Sequence, residues 1–161
     1  MHVRSLLVVT LGLVSFSALK AQGRPLNPVC KRLLPAALVG RLAGEPKTAL
    51  IPRQVAIGAG GDCNYVADPS AAKPQLILMA DINQVAGHRD FVRYVGPIPN
   101  RPVPGLGDEA NAVKTIVAAR KGALLVVVSS FQKVDLKTQQ AVPYFTRDQL
   151  IELVRQALAK K

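Results

Sequence analysis

The first twenty-one residues constrain this chain most strongly, because they predict that the rest of it folds outside the cytosol. His2 and Arg4 precede an apolar run, Leu6 to Phe16. The small residues Ser17 and Ala18 follow, and then Leu-Lys-Ala ending at Ala21. A charged start, an apolar middle and a small residue at the end are typical of a secretory signal peptide. The run is too short for a membrane-spanning helix, which needs about 20 apolar residues. We expect cleavage after Ala21, with an uncleaved anchor as the alternative.

Cleavage at that point leaves 140 residues, enough for one domain with a real core. Residues 22–26 are predicted to be a flexible arm and residues 27–161 a single domain. A chain of this size buries about two thirds of the surface that its unfolded form exposes. Aromatic residues make up only 4% of the chain and tryptophan is absent, so aliphatic side chains must build the core.

The charge of the chain indicates which partners suit it. Loss of Arg4 and Lys20 with the leader lowers the net charge from +11 to +9. This balance favours anionic partners such as lipid headgroups, acidic envelope polymers or an acidic protein. The basic residues are dispersed, whereas nucleic-acid recognition favours a clustered stripe or stacking aromatic residues. Nucleic acid is therefore not an expected partner, and a basic surface with no dedicated partner remains the alternative.

Two cysteines, Cys30 and Cys63, remain after the predicted cleavage. In an oxidising compartment an even pair of cysteines is expected to form a disulfide. The bond closes a loop of 34 residues, which the chain-entropy model values at about 3.7 kcal/mol. No cysteine stands next to the cleavage point, so a lipid anchor is not expected.

The first half of the domain is predicted to contain two short helices and three strands. Asn27 is a helix cap with Pro28 at the first helical position, the helix restarts at Pro35, and Gly44 ends it. Alternating and continuous apolar patterns then indicate strands. These strands cover residues 53–58, 63–67 and 75–82.

The middle of the domain is predicted as a short helix, a loop and a hairpin. The helix covers residues 88–95, with Phe91, Val92 and Val95 on one face. A proline-rich loop follows over residues 96–107. Two strands over residues 112–120 and 123–131 are joined by a tight turn at Lys121 and Gly122, and residues 132–143 are predicted to be a loop.

The last helix carries the clearest local signals. Thr146 and Gln149 form a capping box, and Phe145 and Leu150 form a hydrophobic staple. An apolar stripe runs through Leu150, Ile151, Val154, Ala157 and Leu158. The order of elements predicts an α+β domain, in which N- and C-terminal helices cover a mostly antiparallel sheet of about five strands.

The search for catalytic residues finds only weak candidates. His88 is the only histidine after the leader, and a hydrolase using His88 with Asp90 or Asp81 is the enzymatic alternative. No nucleophile elbow, zinc-protease motif or phosphate loop is present. A single histidine also leaves few ligands for zinc. We predict no catalytic residue, no metal and no cofactor.

Two adjacent carboxylates, Asp108 and Glu109, follow the proline-rich loop. Neighbouring carboxylates usually point apart, and Asp108 after Gly107 is expected to accept backbone N–H groups in a turn. A ligand site is the alternative. The candidate binding residues are Arg101, Asp108, Glu109, Arg120 and Lys121.

Several motifs together suggest a family. These are Pro28, Cys30, Leu33 and Leu34 at the helix start, Cys63, the run Gly-Leu-Gly-Asp-Glu-Ala over residues 105–110, and Arg120-Lys121-Gly122. In these features the chain resembles the small secreted domains of unknown function found in bacterial, notably actinobacterial, envelope lipoproteins. It departs from their pattern in having Asn27 in place of the usual aspartate, an inserted Val29, and no lipid-bearing cysteine. The resemblance implies a disulfide-linked α+β domain with no assigned reaction.

These observations lead to one main functional hypothesis and two alternatives. The main hypothesis is an exported, non-enzymatic binding domain that contacts an envelope protein or an anionic polymer, without stable insertion in the membrane. Proline in the 96–107 segment supports it, because a rigid contact element loses little conformational entropy on binding. The alternatives are a secreted inhibitor that inserts this loop into a target, and the hydrolase using His88.

Overall fold

The computed structural model describes residues 26–52, 63–96 and 101–160. The predicted leader, nearly all of the predicted arm and the predicted strand over residues 53–58 lie outside the described residues. The described helices are α1 (Pro28–Leu33), α2 (Ala36–Ala43), α3 (His88–Val95) and α4 (Arg147–Ala159). The described strands are β1 (Ala49–Ile51), β2 (Cys63–Ala67), β3 (Gln75–Gln84), β4 (Glu109–Ala112), β5 (Ile116–Lys121), β6 (Leu124–Ser130), β7 (Gln132–Val134) and β8 (Ala141–Pro143).

The described strands β1 to β6 form one antiparallel sheet, in the order β1-β2-β3-β6-β5-β4. The strands β3 and β6 lie at its centre, in agreement with their strongly apolar sequences. Together with the helices, this sheet confirms the predicted α+β class. Within the described ranges, no helix is long and apolar enough to span a membrane.

Helices cover both faces of the sheet, which explains the uninterrupted apolar runs in β5 and β6. On one face, α1, α2 and α4 enclose the main core, to which Val117 and Ala119 contribute. On the other face, α3 covers a smaller core that contains Ala118 and Leu125. Successive residues of one strand point to opposite faces, so β5 and β6 each contribute to both cores.

The disulfide joins the N-terminal helices to the sheet. Cys30 in α1 and Cys63 in β2 are both fully buried and bonded to each other, as predicted. Beside them, the Tyr65 hydroxyl donates a hydrogen bond of 2.5 Å to the Leu34 carbonyl. Burial raises the pKa of Tyr65, so this hydroxyl stays protonated and the bond is retained.

The predicted ends of helices α1, α2 and α4 are confirmed. The Asn27 side chain accepts a hydrogen bond from the Val29 N–H, and Gly44 ends α2 in the left-handed conformation. The capping box at Thr146 and Gln149 is present in α4, and Phe145 and Leu150 are fully buried.

The predicted strand over residues 112–120 is confirmed from residue 116 onward as β5, but its start is wrong, because the chain turns at residues 113–115. Strand β4 ends at Ala112, β5 begins at Ile116, and the Val113 N–H donates to the Ile116 carbonyl at 2.9 Å. The sequence of this turn, Val-Lys-Thr, contains none of the glycine, proline, asparagine or aspartate that mark turns. The sequence therefore contained no signal for a turn at residues 113–115.

The predicted position of the β5–β6 turn also needs correction. The β5–β6 turn consists of Gly122 and Ala123, since Lys121 pairs with Leu124, and Gly122 has a positive φ of 58°. This places glycine at the first turn position, as in a type II′ turn. In α3, Phe91 and Val95 are buried, while Val92 is 47% exposed.

The predicted loop over residues 132–143 contains a small hairpin of β7 and β8. Contacts outside the main sheet hold it in place. The Lys133 ammonium lies 3.0 Å from a Glu45 carboxylate oxygen and 4.9 Å from the ring centre of Tyr144. These long-range contacts had no signal in the local, polar sequence.

Candidate functional site

A cleft of about 640 Å³ lies between α3 and residues 102–111. We call it the α3 cleft. Its apolar walls consist of Phe91, Val92 and Val95 from α3, and Pro102, Val103, Pro104 and Leu106 opposite them. Its polar end contains His88, Asp108, Glu109 and Asn111. The volume is within the range of about 300–1,000 Å³ that is usual for ligand sites.

The wall opposite α3 contains Pro102, Val103, Pro104 and Leu106, and we call it the proline wall. It is attached to the edge of the sheet. The Val103 N–H donates to the Ala110 carbonyl at 3.1 Å, and the Ala112 N–H to the Arg101 carbonyl at 3.0 Å. Pro102 lies opposite Asn111, and its lack of an N–H is tolerated because this is a sheet edge. Part of the predicted 96–107 loop therefore pairs with β4 and is held in one conformation.

The Gly-Leu-Gly-Asp-Glu-Ala run forms the tight turn at the base of the α3 cleft. Gly105 and Gly107 have φ values of 74° and 72°, and Leu106 between them is buried. At Gly107 a Cβ atom would lie 2.4 Å from the Arg120 carbonyl oxygen. That oxygen accepts the Asp108 N–H at 2.7 Å, so close approach of two backbones requires glycine at position 107.

Arg120 links both carboxylates of the run. The strand register places Glu109 opposite Arg120, and Arg120 Nη2 lies 2.5 Å from Glu109 Oε1. Arg120 Nη1 donates to Asp108 Oδ2 at 3.3 Å and to the Gly122 carbonyl at 2.7 Å. The two carboxylates therefore converge on one guanidinium and do not simply point apart. Asp108 accepts a backbone N–H as predicted, but the donor is Gly122 in the β5–β6 turn, at 2.6 Å.

His88 extends this network to α3. Its Nδ1 lies 2.5 Å from Glu109 Oε2, while 77% of the side chain is exposed. The partner that the structure gives His88 is thus Glu109. Asp90 accepts the Ala86 N–H at 2.8 Å, and Asp81 lies in β3 opposite Val127. We call His88, Asp108, Glu109 and Arg120 the Arg120 cluster.

The environment of Glu109 keeps it ionised. Burial acts to raise the pKa of Glu109, but hydrogen bonds from His88 and Arg120 and the charge of Arg120 outweigh burial and lower it. At neutral pH this carboxylate is an acceptor only, so it can orient His88 but cannot act as an acid. The Arg120 cluster holds two carboxylates and one guanidinium, a net charge of −1 when His88 is neutral.

The structure brings together three of the five candidate binding residues, Asp108, Glu109 and Arg120. The Arg120 side chain is only 14% exposed and is occupied by internal bonds, so it is not a surface cation. Arg101 is exposed next to the proline wall. Lys121 does not line the α3 cleft; it lines a groove of about 310 Å³ on the other side of the glycine turn, beside Gly107 and Arg155.

Sequence reasoning missed the α3 cleft, because it forms only when β4, the proline wall and α3 meet. The sequence indicated an apolar face with Phe91 and Val95, but it did not indicate that residues 102–106 lie opposite this face. In the described part of the chain, no three His, Cys, Asp or Glu side chains are grouped to hold a metal ion.

Substitutions at two glycines test the tight turn formed by the Gly-Leu-Gly-Asp-Glu-Ala run. Gly105→Ala should lower the free energy of unfolding by about 1–2 kcal/mol, the cost of a left-handed conformation, since open space surrounds its Cβ position. Gly107→Ala should cost about 1–3 kcal/mol more, because its Cβ atom overlaps the Arg120 carbonyl. Urea unfolding of both variants measures the difference. Equal losses would contradict the close approach at position 107.

The lowered pKa of Glu109 predicts a pH-dependent contribution to stability. The bonds that lower the pKa stabilise the folded protein while Glu109 is ionised, so this contribution is complete above the usual value of 4.5. It is lost as the pH falls through the lower pKa of the folded state. Wild type should therefore be more stable than Glu109→Gln at pH 7, with a gap that shrinks below pH 4.5 in urea unfolding. A gap that does not change with pH would count against the network.

Comparison with family models, curated proteins and solved structures finds no significant match to this chain. The resemblance to small secreted envelope domains therefore stays a prediction that rests on the motifs quoted for it.

Proposed function

We propose that the protein is an exported, non-enzymatic binding domain that takes an apolar segment of a protein partner into the α3 cleft. The observation that carries the proposal is the apolar lining of this open cleft, in which Val92 is 47% exposed. Exposed apolar surface of this kind marks binding sites when it is concave and rimmed by polar groups.

The construction of the cleft supports binding with little loss of entropy. One wall is helix α3, and the other contains Pro102 and Pro104 and pairs with β4 through Val103. The Arg120 cluster fixes the polar end through bonds to β4 and α3. A site that is already ordered before binding spends less free energy on ordering.

Charge favours a protein segment over the anionic polymer as the occupant of the cleft. Arg120 is occupied by Asp108 and Glu109, and the cluster has a net charge of −1 with neutral His88. A polyanion would bring like charge to this end of the cleft. The overall charge of +9 without the leader then acts at longer range, where it promotes encounters with acidic surfaces.

The inhibitor hypothesis is less well supported. It needs the 96–107 segment to project into a target, whereas residues 101–103 pair with β4. This part of the segment forms a wall of the cleft.

A hydrolase is the second candidate function, because His88 and Glu109 form a hydrogen-bonded pair at the cleft. A carboxylate that orients a histidine is the arrangement of a general base. No serine, threonine or cysteine is among the described residues that line the cleft, so the nucleophile would be water or one of the carboxylates. Cleavage of a bound peptide by wild type but not by His88→Ala would favour this candidate.

Peptide selection tests the proposed binding site. A displayed library of random peptides, selected on the wild-type protein, should yield peptides with a shared apolar residue. Val92→Asp should weaken their binding in calorimetry at least about tenfold, because a charge in an apolar site must be desolvated. Ala72→Asp, an exposed change outside the cleft, is the matched control and should bind like wild type. The proposal would be overturned if no selected peptide bound wild type more tightly than Val92→Asp.

Export has a separate test. It is supported by the leader pattern and by the Cys30–Cys63 disulfide, which is compatible with an oxidising compartment. The protein recovered from producing cells should begin at residue 22 and resist thiol alkylation until it is reduced. Full-length protein inside the cells with two reactive thiols would overturn this part of the proposal.

A further inference from the structure

The exposed large apolar side chains of the described residues are confined to two places. Val92, at 47% exposure, lines the α3 cleft, while Val134 and Leu136, at 58% and 84%, lie on the β7–β8 hairpin. One place is concave and the other is a projecting turn. Docking the turn into the cleft removes apolar surface from water at both places.

The hairpin tip is ordered before any partner binds. Asp135 Oδ1 accepts the N–H groups of Lys137 at 2.8 Å and Thr138 at 3.3 Å. The Gln139 N–H donates to the Asp135 carbonyl at 2.7 Å. These bonds close the turn and hold Leu136 in solvent, so little further conformational entropy is lost when Leu136 is buried.

The tip cannot reach the cleft of its own molecule. The hairpin is attached near Glu45, through Lys133, and near Gln75 at the start of β3, through the Tyr144 hydroxyl. The cleft lies at β4, the opposite edge of the sheet, with β6 and β5 between β3 and β4. Any docking of this hairpin into an α3 cleft is therefore between molecules.

We propose that the partner of the α3 cleft is a second copy of this chain, whose Leu136 enters the cleft while Lys137 approaches Asp108. This inference rests on the proposed function and names its partner. Charge complementarity supports the pairing. Lys137 is exposed and forms no ion pair with another described residue, and the Arg120 cluster has a net charge of −1 when His88 is neutral.

The resulting contact joins two different surfaces. A turn on one copy meets a cleft on the next, so the arrangement is head-to-tail. In a dimer, one copy keeps a free cleft and the other keeps a free turn. One apolar side chain and one ion pair make a small interface, which predicts weak, concentration-dependent association.

Sedimentation velocity on the full chain, as the cell processes it, tests the inference. The average mass of wild type should rise with concentration. Leu136→Asp and Val92→Asp should each reduce the association constant by about 10- to 100-fold or more. This is the change expected when the burial of one large aliphatic side chain is lost. Leu136→Met should keep most of the association, since methionine fills similar apolar space. Unfolding curves of all variants exclude a loss of fold.

Mixing the two defective variants provides the sharper test. Leu136→Asp retains an intact cleft, and Val92→Asp retains an intact turn, so a mixture should form a one-to-one dimer and stop there. A symmetric interface that used the same patch on both copies would not recover on mixing.

Wild type that stays monomeric at every concentration, or a mixture that fails to dimerise, would overturn self-docking. Peptide selection on Leu136→Asp, which cannot dock into itself, separates the two proposals. If selected peptides bind its cleft while wild type stays monomeric, the proposed function stands and the second copy is excluded. If no peptide binds and wild type stays monomeric, both proposals fail.

Discussion

The contact of Arg120 with Asp108 and Glu109 is the interaction on which the site depends. The guanidinium crosses from β5 to β4, and it also binds the Gly122 carbonyl in the β5–β6 turn. Through Glu109 the same network reaches His88 at the start of α3. One largely buried charge with several acceptors therefore connects the edge strand, the glycine turn and the covering helix. Charge-assisted bonds of this kind are stronger than neutral ones, and here they determine the shape of a cleft.

The second constraint is that helices cover both faces of the sheet. Helix α4 and its neighbours bury the larger core, while α3 supplies Phe91 and Val95 to the smaller one. Because α3 is short and stands at the β4 edge, it leaves a gap toward the proline wall. The α3 cleft is this gap, and its floor is the sheet edge that Val103 and Ala110 close by a backbone hydrogen bond.

These two constraints explain why the function proposed is binding. The basic character of the chain suggested an anionic partner, but the concave site combines apolar walls with a cluster whose net charge is −1 when His88 is neutral. A protein segment with an apolar side chain next to a cation suits that combination. The tip of the β7–β8 hairpin, Leu136 followed by Lys137, presents such a segment on the same chain.

Local signals in the sequence determined the capping box at Thr146, the bounds of α3 and the central strand β3, because each depends on neighbouring residues. The pairing of Cys30 with Cys63 followed from the number of cysteines, since only two remain after the leader. Local signals also located the Gly-Leu-Gly-Asp-Glu-Ala run and its need for glycine. Only the tertiary structure decided that the chain turns at residues 113–115, that Glu109 lies opposite Arg120, and that His88 contacts Glu109. Those outcomes depend on strand register and on a helix packing across the sheet, and both are set by contacts between residues distant in sequence.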